Sequence, residues 1–144
     1  MKYIKLFESF EDINDNDVID IFSPVCDLGF DILDIYESNF LTPSKDIVDY
    51  HEDMSKPLIR GIAIRIDKTG GGLGMNIDDT FVNELNDSIL HFESQFKCEL
   101  HYISLRTPAG IWFRNIDVFR NNMDRIINHS SKFTSYIDVV FRTK

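Results

Sequence analysis

The sequence predicts an α+β fold: a two-layer sandwich whose mostly antiparallel sheet carries two or three helices on one face, ferredoxin-like or related. Three observations predict it. Apolar periodicity reads as helix, strand, strand, helix, strand, short strand, helix, strand, and two successive strands cannot pair in parallel without a crossover between them. The 144 residues are enough to close one hydrophobic core. The composition, 43% hydrophobic and 27% charged with twelve Phe and one Trp, is that of a globular chain with a core built largely from Phe and Ile. A single domain over residues 1–144 follows, with residues 1–16 as a loosely attached N-terminal segment.

The elements are justified in order. Met1–Phe10 is mildly apolar, a short strand or a helical turn, and Glu11–Asp17 is a polar cluster able to cap a helix. From Asp17, the residues Val18, Ile19, Phe22, Val25 and Cys26 fall at helical spacing. Asp15 or Asn16 is the expected cap, Pro24 the expected kink, and Gly29 the left-handed stop. Phe30–Glu37 reads as a strand whose alternation slips between Ile32 and Leu33, the mark of a bulge or of burial on both faces. Asn39–Pro57 reads as a long polar loop with a weakly helical piece over Lys45–Met54. Leu58–Ile66 is the clearest strand, with Leu58, Ile62, Ile64 and Ile66 on one side. Phe81, Leu85, Ile89, Phe92 and Phe96 form the stripe of a helix that Asn76, Asp78 or Asp79 can cap. Glu99–Arg106 is the next strand, and Ile111–Arg114 its short partner across the Pro108–Gly110 turn. Ile116, Phe119, Met123, Ile126 and Ile127 predict a third helix, and Ser135–Arg142 a closing strand with Ile137, Val139 and Phe141 inward.

Charge is unevenly placed. Met1–Ser55 carries fourteen Asp/Glu against three Lys/Arg, whereas Lys56–Lys144 carries ten against twelve. A chain of net charge −9 repels polyanions and anionic membranes at long range, which disfavours nucleic acid as a partner. No apolar run reaches the length of a bilayer span, and the start lacks a secretory signal. Cys26 and Cys98 stand far apart outside any CxxC pair and read as reduced thiols, which with the missing signal predicts an intracellular protein. The acidic block reads either as a solvating face or as a docking surface for a protein partner with a basic surface. For docking, the residues singled out are Asp31, Asp34 and Glu37 on the strand, with Asp46, Asp49, Glu52 and Asp53 in the long loop.

A ligand-binding alternative rests on Thr69–Gly74 (TGGGLG), where Gly70, Gly71, Gly72 and Gly74 link a strand to a helix. The loop lacks GxxxxGK[ST], and Asp78 and Asp79 would repel a phosphate, so a divalent cation held by Asp67, Asp78 and Asp79 is the easier ligand. A plain hairpin-like connection is the favoured reading of the glycines. Trp112 and Arg114, with Tyr102, could stack and neutralise a nucleotide; the competing reading splits Trp112 and Phe113 between core and rim and pairs the arginines with N-terminal acids. His51 beside Glu52 and Asp53, His91, His101 and His129 show no zinc spacing, no motif calls for a cofactor, and no catalytic residue is assigned.

The opening Met1-Lys-Tyr-Ile-Lys-Leu-Phe-Glu-Ser-Phe10 resembles the short leaders on internal head proteins of the T-even group of tailed bacteriophages: Met-Lys, mixed residues, then Phe at position seven before an acid-bearing stretch. The resemblance implies a phage origin and a small accessory protein that acts by binding, in the host cytoplasm or in the virion. The expected function is therefore non-enzymatic protein–protein interaction through an acidic surface, as a minor particle component or a modulator of a host protein.

Overall fold

The computed structural model describes residues 13–49, 55–68, 77–106, 110–125 and 136–143. Met1–Phe10, His51, Glu52, Asp53, the TGGGLG segment, Ile126, Ile127 and His129 lie outside these residues.

Asn14 opens the first helix, its side-chain oxygen accepting the Asp17 N–H at 2.9 Å, so the cap falls just ahead of the expected Asp15 or Asn16. What was expected as one kinked helix is two, α1 (Asp15–Ile21) and α2 (Ser23–Cys26). Pro24 sits in the first turn of α2, where its missing N–H has no helical partner to lose. Gly29, at φ 96°, makes the left-handed stop that its lack of a Cβ permits.

Next come β1 (Phe30–Thr42), β2 (Ile47–Asp49), β3 (Ser55–Lys68) and α3 (Asp79–Phe96). They are followed by β4 (Cys98–Arg106), β5 (Ile111–Phe113), α4 (Ile116–Arg120) and β6 (Tyr136–Thr143). The bulge falls where alternation slipped, between Ile32 and Asp34, and leaves Leu33 extra to the ladder. Asn39–Pro57 is a correction: residues 39–42 continue β1, 47–49 form β2 and 55–57 begin β3. The expected helical piece at Lys45–Met54 gives way to β2 because Ile47–Asp49 find a ladder partner on β5, and tertiary pairing outweighs weak local propensity. The third helix stops at Arg120; Asn122 Nδ2 donates to the Val118 carbonyl at 2.7 Å, and residues 123–125 turn helically again, with Met123 against the core.

Among the described residues six strands form one antiparallel sheet in the order β1-β3-β6-β4-β5-β2. Strands β3 and β4 point the same way with β6 inserted between them, so β3-α3-β4 is a split crossover. Followed from β3, the series β3-α3-β4-β6 and then α1-α2-β1 has the βαββαβ order of a ferredoxin-like sheet. The chain is open between β6 and α1 and joined between β1 and β3, a circular rearrangement of that order. Strands β5 and β2 extend the sheet beyond β4.

The helices cover one face. Val18, Phe22, Val25, Phe81, Leu85, Ile89, Phe92 and Phe119 pack onto Ile62, Ile64, Ile66, Ile103, Leu105, Ile137, Val139 and Phe141. Phe92 stacks on Phe141 at 4.2 Å between ring centroids, and Phe30 meets Phe81 at 4.5 Å, so rings carry much of the α–β contact, as the composition predicted.

The opposite face is buried as well, by the sheet's own long ribbon. Strand β6 pairs with β3 only over Gly61–Ile66, so residues 55–60 of β3 and 39–42 of β1 run on as a two-stranded arm. The arm brings Phe40 against Ala63, Tyr102 and Val140, and the Leu41 carbonyl to 3.0 Å from His101 Nε2. Gly61 is where it departs: a Cβ there would lie 2.3 Å from the Phe141 carbonyl oxygen.

Candidate functional site

The most sharply charged part of the molecule is the edge formed by α1, α2 and β1. Residues 13–44, which build it, hold seven acids (Asp15, Asp17, Asp20, Asp27, Asp31, Asp34, Glu37) and no Lys or Arg. Strand β1 is the outermost strand on this side of the sheet. Its bulge turns Leu33 outward, 56% exposed, towards Ile19 of α1, which is 45% exposed. Asp15, Ile19, Ile32, Leu33, Asp34 and Ile35 line a shallow groove of about 150 Å³ between strand and helix. A mixed lining in which the exposed Leu33 and Ile19 stand beside Asp15 and Asp34 can seat an apolar side chain flanked by cations.

Electrostatics at this edge leave a mark on Cys26. Burial pushes its thiol pKa up, and the Asp31 and Asp27 carboxylates push it further in the same direction, because a thiolate beside carboxylates is disfavoured. Both Cys26 and Cys98 are free thiols. Arg60 of the arm bonds Glu37 at 2.8 Å, an exposed ion pair of modest weight.

The docking residues chosen from sequence fall at two places. Asp31, Asp34 and Glu37 share β1, with Asp34 opposite Arg65 and Asp31 opposite Asp67 in the ladder. Asp46 and Asp49 lie at the other edge of the sheet, where Asp46 Oδ1 stands 3.8 Å from Arg114 Nε and β2 pairs with β5. Of the expected N-terminal segment only residues 13–16 are described: Ile13 packs on the core, and Asp15 and Asn16 belong to α1.

The ligand set is also divided. Asp78 caps α3, its Oδ1 accepting the Phe81 N–H at 2.9 Å, and thereby occupies one oxygen of the imagined cation site. Asp67 Oδ1 accepts the Lys68 N–H at 2.7 Å. Asp79 is exposed at the same end of the sheet as Lys68, while Arg114 follows β5 at the opposite end, beside the level of Arg142 and Glu99. Among the described residues no three His, Cys, Asp or Glu side chains gather as a metal-holding group. Phe113 is buried and Trp112 half-buried against the Tyr102 side of the sheet.

No protein family, curated protein or solved structure matches this chain. Among the described residues no helix is long and apolar enough to cross a membrane.

Residue types alone did not reveal two features. One is the groove, whose floor residues Ile19 and Leu33 look like core; the slip at Ile32–Leu33 signalled the bulge but not its outward turn. The other is a polar clamp on the second face of the sheet. Arg65 grips Asp138 with two bonds, Nε to Oδ1 at 2.9 Å and Nη2 to Oδ2 at 3.1 Å. Tyr36 donates its hydroxyl to Asp138 Oδ2 at 3.2 Å, and the guanidinium lies 4.0 Å over the Tyr136 ring. Burial, then the Asp138 carboxylate, raise the Tyr36 pKa, and the hydrogen bond to Asp138 raises that of Arg65. Every member is partnered, which suits a structural clamp across β1, β3 and β6.

Proposed function

We propose that this chain is a non-enzymatic interaction protein that docks a basic partner through its α1–α2–β1 edge. The observation that carries the reading is one conjunction: residues 13–44 hold seven carboxylates without a Lys or Arg, and two of them, Asp15 and Asp34, line a groove with the exposed Leu33 and Ile19. The partner is a protein segment with one apolar anchor between Lys or Arg residues. Covering Leu33 contributes about 1 kcal/mol, and the carboxylates steer the encounter and select the charge of the partner. The bulge and the acids along β1 also discourage indiscriminate strand-to-strand pairing at that edge, so side-chain docking suits it better than strand addition. The likeness of residues 1–10 to phage leaders supports a place among phage accessory proteins, as a minor particle component or a modulator of a host protein.

Titration of isotope-labelled protein with a synthetic peptide carrying Leu between Lys and Arg tests the reading by NMR. Shifts are expected at α1 and around the β1 bulge, weaker at high salt and lost in Leu33→Ser/Asp34→Lys. The same peptide with Glu for its basic residues should give none. Absent shifts, or shifts that persist in the double variant, sink the proposal.

A further inference from the structure

A second cavity, of about 330 Å³, opens where the β1–β3 arm meets the far half of the sheet. It is lined by Thr42, Pro43, Leu100, His101, Arg114 and Arg142, and no carboxylate belongs to its wall. Two guanidiniums and an imidazole converging on one hollow run against the average charge of a chain at net −9. Both arginines are held in place by neighbouring groups. Arg142 Nε is bonded to Glu99 Oε1 at 2.8 Å; Arg114 Nη2 donates to the carbonyl of the wall residue Pro43 at 3.2 Å, and its Nε stands 3.8 Å from Asp46 Oδ1. Each guanidinium has five N–H donors, so these anchors leave most of both forks for a guest. His101 is 5% exposed, and its Nε2 lies 3.0 Å from the Leu41 carbonyl, which is satisfied by the tautomer that donates there. Leu100 and Pro43 give the hollow an apolar side, and its volume exceeds that of a bare oxyanion.

We propose that this cavity binds a small phosphate monoester, its phosphate on the Arg114 and Arg142 forks and its organic group against Leu100 and Pro43. Two guanidiniums can serve three phosphate oxygens, and forked N–H pairs match that geometry better than a point charge does. The site is separate from the acidic edge, at the far end of the sheet from Lys68, and does not rest on the docking proposal.

Calorimetric titration of the full chain with phenyl phosphate, inorganic phosphate, benzoate and benzyl alcohol tests it. Phenyl phosphate is expected to bind saturably and tightest. Inorganic phosphate should bind more weakly because it lacks the ring, benzoate more weakly because it offers two oxygens, and the neutral alcohol should not bind. Arg142→Gln and Arg114→Gln should each weaken phenyl phosphate about tenfold or more. Arg120→Gln, on α4 beside Asn83, should leave it unchanged. Should Arg142→Gln fail to fold, Arg142→Lys keeps the charge and loses the fork, and a several-fold weakening is still expected. Non-saturable heats for phenyl phosphate overturn the proposal. So does binding that Arg120→Gln weakens as much as the cavity variants, and so does tighter binding of benzoate than of phenyl phosphate.

Discussion

His101 shows how one buried side chain couples the fold to pH. It is enclosed between β4 and the β1–β3 arm, and burial, followed by the neighbouring Arg142 charge, lowers its pKa from the usual value; the bond to the Leu41 carbonyl and the Glu99 carboxylate oppose this without reversing it. The folded protein therefore holds the ring neutral at pH values where the unfolded chain, titrating near about 6.5, already binds a proton. Where the unfolded state binds more protons, stability rises with pH. The contribution of His101 is thus fully present above about pH 6.5 and is lost as pH falls from there through the lower folded value. The urea midpoint should drop between about pH 7 and pH 5, and His101→Gln, which can still donate to Leu41, should remove part of that drop. Parallel pH profiles for the two proteins would show that the ring is not the source.

The β1–β3 ribbon is the element on which both candidate sites depend. Its near half carries the acidic groove at the Leu33 bulge, and its far half ends in Thr42, which with Pro43 lines the arginine-bearing cavity. The clamp of Arg65, Asp138, Tyr36 and Tyr136 holds β1, β3 and β6 in register between the two; removing one member of this part-buried pair is expected to cost about 1.5–3 kcal/mol. Gly61 allows the arm to leave the sheet. A methyl group there would meet the Phe141 carbonyl oxygen at 2.3 Å, a backbone atom of the paired strand that cannot move aside alone. Gly61→Ala is therefore expected to destabilise by about 1–3 kcal/mol, read as a lowered urea midpoint, and to weaken phenyl phosphate binding by shifting the arm. A variant as stable as the parent would show that the strand accommodates the methyl group.

The same ribbon marks how far the sequence is legible. The α3 stripe, its Asp78 cap, the Gly29 stop and the alternation of Ile62, Ile64 and Ile66 are local patterns, and each appears where expected. Asn39–Thr42 and Ile47–Asp49 are strands only because β3 and β5 lie beside them, and a polar sequence cannot announce a partner so distant in the chain. The site residues follow the same rule: Asp31, Asp34 and Glu37 were readable as an acidic strand, whereas His101, Arg114 and Arg142 meet only because β5 and β6 pair on either side of β4.

At the scale of the whole molecule, charge has two opposing consequences. A net −9 with seven acids concentrated in residues 13–44 makes the folded state repel itself along one edge. Among the described residues the exposed ion pairs are Arg60–Glu37 at this edge and, away from it, Arg142–Glu99 and Arg114–Asp46, all partly solvated. Salt shortens the reach of both effects, to about 10 Å at 0.1 M, and like-charge repulsion spread over an edge is longer-ranged than a single contact pair at 2.8 Å. Raising NaCl from about 10 to about 300 mM should therefore raise the thermal midpoint, while weakening association with the basic peptide over the same range. The two trends must have opposite signs, because screening relieves repulsion within the edge and removes its attraction for a cation. Far-UV circular dichroism melts and peptide titrations on the same samples make the comparison. A thermal midpoint that falls with salt would mean that ion pairing outweighs repulsion, and the edge would then lack the net field that the docking proposal needs.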